Sequence, residues 1–112
     1  MRRPVAGRNV VKFKFIPSKA RQRVCELARD TGNITWTDHI VQRMRERGFD
    51  TDAVLRILRT GDVEDDPEEE DPGDWKIKIV RKMANGRVAG VVTVVVRNSR
   101  LVLITVEWED RR

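Results

Sequence analysis

The stretch that decides the fold is residues 75–109, WKIKIVRKMANGRVAGVVTVVVRNSRLVLITVEWE. Trp75, Ile77 and Ile79 alternate with Lys76 and Lys78. That period of two marks a half-buried strand, because successive side chains point to opposite faces. Asn85-Gly86 follows, a strong hairpin signal, since both residues tolerate the positive φ of a type I′ turn. Val88 to Val96 reads as a second strand, Asn98-Ser99 as another tight turn, and Leu101 to Trp108 as a third strand. The result is a three-stranded antiparallel meander. Its second and third strands are apolar on both faces, which predicts central positions covered on both sides. Helices can cover one face. The other requires the N-terminal segment or a second subunit.

Working backward, Asp62 to Asp74 holds two prolines, a glycine and nine acids, the composition of a solvated loop. Before it lie two short helices. Thr37 is a good N-cap for the first, Asp38 suits its dipole, and Gly48 is its C-terminal cap. Asp50 or Thr51 caps the second, whose apolar positions are Val54, Leu55, Ile57 and Leu58, and Gly61 ends it. Ile34 and Trp36 form a short extended segment. Further upstream, Arg8 to Ile16 reads as a strand, with Val11, Phe13 and Phe15 alternating with Lys12 and Lys14. Ser18 is the expected N-cap of a helix reaching about Asp30, with Val24, Leu27 and Ala28 facing inward. The fold class is α+β: two to three short helices packed on an antiparallel sheet. The 112 residues are expected to form a single domain. Within it, residues 1–33 are a strand-helix extension, 34–110 the core and 62–74 the acidic loop.

The net charge of +5 conceals a sharper pattern. Residues 1–60 carry 14 Lys/Arg and 6 Asp/Glu; residues 61–74 carry no base and 9 acids; residues 75–112 carry 9 bases and 3 acids. A basic body with one acidic loop fits an anionic partner such as nucleic acid, and it fits ordinary solubility charge equally well. The acidic loop is a candidate to fold over the basic face and compete with nucleic acid. One cysteine, Cys25, excludes an internal disulfide and fits a reducing, cytoplasmic setting. Its expected place is the core side of its helix. No apolar run is long enough to span a bilayer, and no signal peptide is expected. With one histidine and one cysteine, no metal site is expected, and no glycine-rich nucleotide fingerprint predicts a cofactor.

The only histidine lies in Thr37-Asp38-His39-Ile40-Val41-Gln42-Arg43-Met44-Arg45-Glu46-Arg47-Gly48. At 100° per residue, His39, Arg43 and Arg47 fall along one stripe of a helix. This segment, with its Thr-x-His, Arg43-Met44 and Arg47-Gly48-Phe49, resembles domain of unknown function 4258. The second helix ending in Gly61 and a late Thr105-Val106 strand extend the likeness over about residues 35–108. That family is similar in architecture to RelE-like toxin ribonucleases. The resemblance implies metal-independent RNA cleavage and, among partners, RNA or an antitoxin-type protein. RelE-like nucleases often use a tyrosine near the C-terminus, and this chain has none.

Such cleavage needs a base, an acid and cations for the phosphate. His39 has the intrinsic pKa for proton transfer near neutrality, and Arg43 and Arg47 have the fork geometry for phosphate oxygens. Glu107 is the best carboxylate to pair with the histidine. Lys76, Lys78 and Arg81 are candidates for a basic wall that binds nucleic acid. Each has a plainer alternative. His39 can bond a backbone group at the helix start, and Arg43, Arg45 and Arg47 can form a solvated face paired with Glu46 or Asp50. Lys76 and Lys78 can guard an edge strand, and Trp36, Trp75 and Trp108 can be packing residues. The leading reading is a small ribonuclease or RNA-binding protein centred on His39 and Arg43. The rivals are a non-enzymatic interaction module, including a homodimer through the sheet, and a nucleic-acid-binding accessory protein.

Overall fold

A computed structural model describes residues 14–110. Three helices, α1 (Pro17–Ala28), α2 (Asp38–Arg47) and α3 (Thr51–Thr60), pack on one face of a five-stranded sheet. The strands are β1 (Ile34–Trp36), β2 (Glu68–Glu69), β3 (Trp75–Lys82), β4 (Val88–Val96) and β5 (Arg100–Glu109), in the order β1-β5-β4-β3-β2. The α+β class and the C-terminal meander are those the sequence predicts. The sheet is mixed rather than wholly antiparallel, because β1 runs parallel to β5, with Ile34 against Leu101 and Trp36 against Leu103. The strand expected over Arg8–Ile16 falls mostly outside the described residues, and Lys14–Ile16 are not in a strand. No described helix is long and apolar enough to cross a membrane.

One apolar cluster joins the two layers. From the sheet come Ile77, Ile79, Val91, Val95, Leu101, Leu103 and Val106; from the helices come Val24, Ile40, Val54, Ile57 and Leu58. All are buried, at 2% exposure or less. A bulge shapes this face. Val92 pairs with Thr105 and Thr93 with Leu103, so β5 carries Ile104 as an extra residue. Leu103 and Val106, three apart, therefore both face the helices, as a bulge allows.

Local chemistry explains the ends of the elements. Thr37 Oγ1 accepts the Ile40 N–H at 3.2 Å, Asp50 Oδ1 accepts the Ala53 N–H at 2.7 Å, and Gly48 closes α2 at φ 77°. These are the expected caps, with Asp50 rather than Thr51 serving α3. Ser18 is not a cap. The helix begins one residue earlier, with Pro17 at its first position, where a missing N–H costs nothing and φ is preset. Cys25 is half-buried between α1 and α3, its thiol 3.2 Å from the Arg59 carbonyl.

The two hairpin turns exchange their expected geometries. Of Asn85 and Gly86, only Gly86 has positive φ, at 84°. The Asn85 side chain instead accepts the Arg87 N–H at 2.9 Å, which holds a longer loop in place of a type I′ turn. Two consecutive positive φ values occur at Arg97 and Asn98, 50° and 57°, one residue before the predicted turn, and the Ser99 N–H donates to the Val96 carbonyl at 3.0 Å.

The acidic segment is more ordered than a solvated loop. Asp62 and Val80 exchange two backbone hydrogen bonds of 2.8 Å. Farther along, β2 pairs with β3, and Glu68 lies 3.5 Å from the Lys76 ammonium. Asp74 accepts the Arg97 N–H at 2.9 Å. The segment thus lies along the β3 edge, whereas α2 packs beside β5 near the other edge. Of the expected basic residues it meets Lys76, through Glu68.

Gly61 marks the closest approach of α3 to the sheet. A Cβ there would fall 2.6 Å from both the Ile57 carbonyl and Ile79 Cγ2, and 2.7 Å from the Val80 carbonyl. Two of those neighbours are backbone and cannot swing away. Gly61→Ala is expected to destabilise the protein by about 1–3 kcal/mol, the range for overpacking, read as a lower urea midpoint. Thr37→Ala is expected to cost about 1 kcal/mol through the lost cap, with Thr37→Ser retaining most of it. Equal midpoints for Ala and Ser at position 37 would remove the hydroxyl from this account.

Candidate functional site

Helix α2 is fastened at both ends to β5. At its start, Thr37 Oγ1 donates to the Leu103 carbonyl at 2.8 Å while capping the helix. At its end, Arg47 Nη1 donates to the Val106 carbonyl at 3.4 Å, and the Trp108 indole donates to the Arg47 carbonyl at 3.0 Å. Phe49 then stacks on Trp108, with ring centroids 4.4 Å apart, and the Arg87 guanidinium covers that ring at 4.5 Å. Ile40 and Met44 face the core. Thr37, Met44, Arg47, Gly48 and Phe49 therefore all have architectural work.

His39 and Arg43 do not. Arg43 Nε donates to His39 Nε2 at 3.1 Å, the contact expected from residues four apart on a helix. Arg43 Nη1 also reaches Glu46 Oε1 at 2.7 Å, and Gln42 donates to Glu46 Oε2 at 3.0 Å. His39 and Glu46 are exposed and Arg43 is half-exposed. Hydrogen bonds from Arg43, and secondarily from Gln42, hold the Glu46 carboxyl below its usual range. Since Nε2 of His39 accepts from Arg43, the ring is read as the neutral tautomer with its proton on Nδ1. The surface of α2 thus presents an imidazole, a guanidinium and a carboxylate in a chain. The guanidinium can grip a phosphate, and the imidazole can exchange a proton.

The other expected site residues are placed elsewhere. Strand alternation puts Lys76 and Lys78 on the sheet face away from the helices, and Arg81 on the helix face. The proposed basic wall is therefore divided between two faces. Arg81 Nε donates to Thr60 Oγ1 at 2.7 Å, and Arg81 lines a groove of about 610 Å³ with Asp52, Arg56 and Lys82. Lys78 pairs with Glu109 at 2.6 Å. Glu107 is out of phase with the buried Val106, so it too lies on the face away from the helices and is not brought to His39. Arg47 shares the stripe of His39 and Arg43, but its guanidinium turns to the β5 edge. The groove beside α3 does not follow from the apolar positions of that helix. Asp52 and Arg56, four apart on α3, are its signal in the sequence. Among the described residues, no group of three or more His, Cys, Asp or Glu side chains could hold a metal ion.

Comparison with known proteins returned no match among curated proteins and none among solved structures. One family does match, over residues 36–108, which takes in α2, α3 and the whole meander up to Trp108. The fastening of α2 to β5 and the exposed His39–Arg43 pair both lie inside that span, and the chain belongs to the family described as Domain of unknown function (DUF4258).

Proposed function

We propose that the protein engages RNA through the exposed surface of α2 and cleaves it without a metal, with Arg43 gripping the phosphodiester and His39 moving the proton. The observation that carries this reading is the Arg43–His39 contact of 3.1 Å on a helix whose other motif residues are committed to packing. In the resting arrangement Arg43 occupies the lone pair of His39 Nε2. A phosphate drawing the guanidinium to itself frees that nitrogen. His39 can then accept the proton of a 2′-hydroxyl as its oxygen attacks phosphorus. The P–O5′ bond breaks, and the departing oxygen takes up a proton from the imidazolium or from water. Glu46 keeps Arg43 over the surface before substrate arrives.

Purified protein is expected to cleave single-stranded RNA in EDTA. His39→Ala should lower the rate by about 10²–10⁴-fold, the usual scale of general acid–base catalysis, with far-UV circular dichroism unchanged. Arg43→Ala should weaken RNA binding and reduce the salt dependence of that binding, since one phosphate contact is lost. No cleavage by the parent across several RNAs, or cleavage unaffected by either change, would overturn the reading. The Arg43–Glu46 tie carries its own pH signature. The Glu46 carboxyl is lowered from 4.5, so the tie is intact at neutral pH and is lost only as pH falls through that lowered value. Glu46→Gln should therefore mimic, at neutral pH, the looser Arg43 of the acidified parent.

A further inference from the structure

The face of the sheet away from the helices is unlike an ordinary solvated sheet surface. Strand register assigns it Lys76, Lys78, Val80 and Lys82 from β3. It also receives Val88, Gly90, Val92, Val94 and Val96 from β4, and Arg100, Val102, Thr105, Glu107 and Glu109 from β5. Val88, Val92, Val94, Val96 and Val102 are half-buried, and the three described helices lie on the opposite side. Val80 is only 6% exposed yet lies outside the core cluster. A valine stripe thus runs down the middle of a face on which no helix packs among the described residues.

At its Val88 end the two margins carry opposite charge: Lys78 and Lys82 on β3, Glu107 and Glu109 on β5. At the other end Lys76 pairs with Glu68 at 3.5 Å, and Arg100 of β5 donates to Thr35 Oγ1 at 3.0 Å. The centre between them is kept flat. Lys78 and Glu109 meet at 2.6 Å across β4, and Gly90 is the residue beneath them. A Cβ at Gly90 would lie 2.9 Å from Glu109 Oε2 and 3.2 Å from Lys78 Cε. The pair lies down over the bare backbone, and the Glu109 side chain is 12% exposed.

We propose that this face is a homodimer interface, in which two sheets pack face to face about a two-fold axis lying in the interface and roughly parallel to β4. The charge layout selects both the partner and the axis. Rotation about an axis along the strands exchanges left and right while keeping the level along the strand. The β3 lysines of one copy then face the β5 glutamates of the other. Rotation about an axis across the strands would instead set lysines on lysines, which is repulsive. In the ladder, Lys82 lies level with Val88 and Glu109, whereas Glu107 sits two residues along β5, level with Val80 and Gly90. Because Lys78 holds Glu109, Lys82 of a second copy reaches diagonally to Glu107. Lys82 and Glu107 form no side-chain bond within the chain among the described residues, so both are available to a second copy. Sheets that pack face to face cross at about 30°, a small departure from this arrangement. The footprint suits a weak, reversible dimer. The three long strands, ~4.8 Å apart and about nine residues long, cover on the order of 400 Å² per copy, against ~800 Å² for a standard interface.

Sedimentation equilibrium of the full chain over two decades of concentration tests this. The expected result is a reversible shift from the 13.0 kDa monomer toward twice that mass. Val94→Arg, in the middle of the stripe, should abolish the shift. Lys82→Glu should raise the dissociation constant about tenfold or more, and adding Glu107→Lys to it should restore much of the loss, because a two-fold brings those margins together. A chain that stays monomeric throughout would overturn the proposal. A dimer indifferent to Val94→Arg and to the charge exchange would overturn it equally, by placing the interface elsewhere. All three substitutions lie on the face away from the helices, and far-UV circular dichroism checks that each variant folds.

Discussion

The structure depends on the attachment of α2 along the edge of β5. β1 pairs with β5 for only three residues, ending at Leu103. Beyond that point the strand would leave backbone carbonyls open, and open polar groups beside a core are costly. Thr37 and Arg47 close two of them, at Leu103 and Val106, and Trp108 returns a bond to the helix. The lengths agree. Ten helical residues span about 15 Å, and the run from Leu103 to Trp108 spans about 17 Å of strand. A helix of this length, held at both ends, presents Ile40 and Met44 to the core one turn apart. The same constraint leaves His39 and Arg43 outside, fixed in place but free of any packing duty.

What was legible in the sequence is what local chemistry determines. The alternation in β3, the caps at Thr37 and Asp50, and the left-handed Gly48 follow from neighbours within a few residues. The His39–Arg43 contact follows from helical spacing in the same way. What was not legible depends on pairing at a distance. Nothing in Ile34-Thr35-Trp36 names Leu101 to Leu103 as a partner, and nothing in Glu68-Glu69 distinguishes a strand from the acids around it. Glu107 shows how a single irregularity propagates. Counting by twos from Leu103 would put Glu107 on the helix face. The extra residue at Ile104 reverses the parity and sends it to the other side. The division of Lys76 and Lys78 from Arg81 needs no such device: odd and even positions of one strand cannot share a face.

The two long sides of the sheet are closed by different means. On the β5 side a short parallel strand and a helix complete the ladder. On the β3 side the acidic segment does so, through the Asp62–Val80 exchange and the pairing of Glu68 and Glu69. A strand edge clothed in carboxylates resists pairing with another chain, because like charges would be brought together. The nine acids therefore have a structural purpose beside β3. The lysines of β3 face outward from the same strand, one of them neutralised by Glu68.

The parallel pair of β1 and β5 has a consequence for the order of events in folding. Residues 34–36 cannot find their partner until residues 101–103 have been synthesised, and α2 has no edge to rest on before then. The three helices leave the ribosome before the meander, and their apolar sides wait for β5 to arrive. The meander itself is joined by short turns and can assemble locally, so its final strand is both the end of the hairpin series and the platform on which the earlier half of the chain docks. Contacts that span so much of a chain slow its folding. In this protein they are concentrated in β5, which makes a break in that one strand a threat to elements formed far upstream.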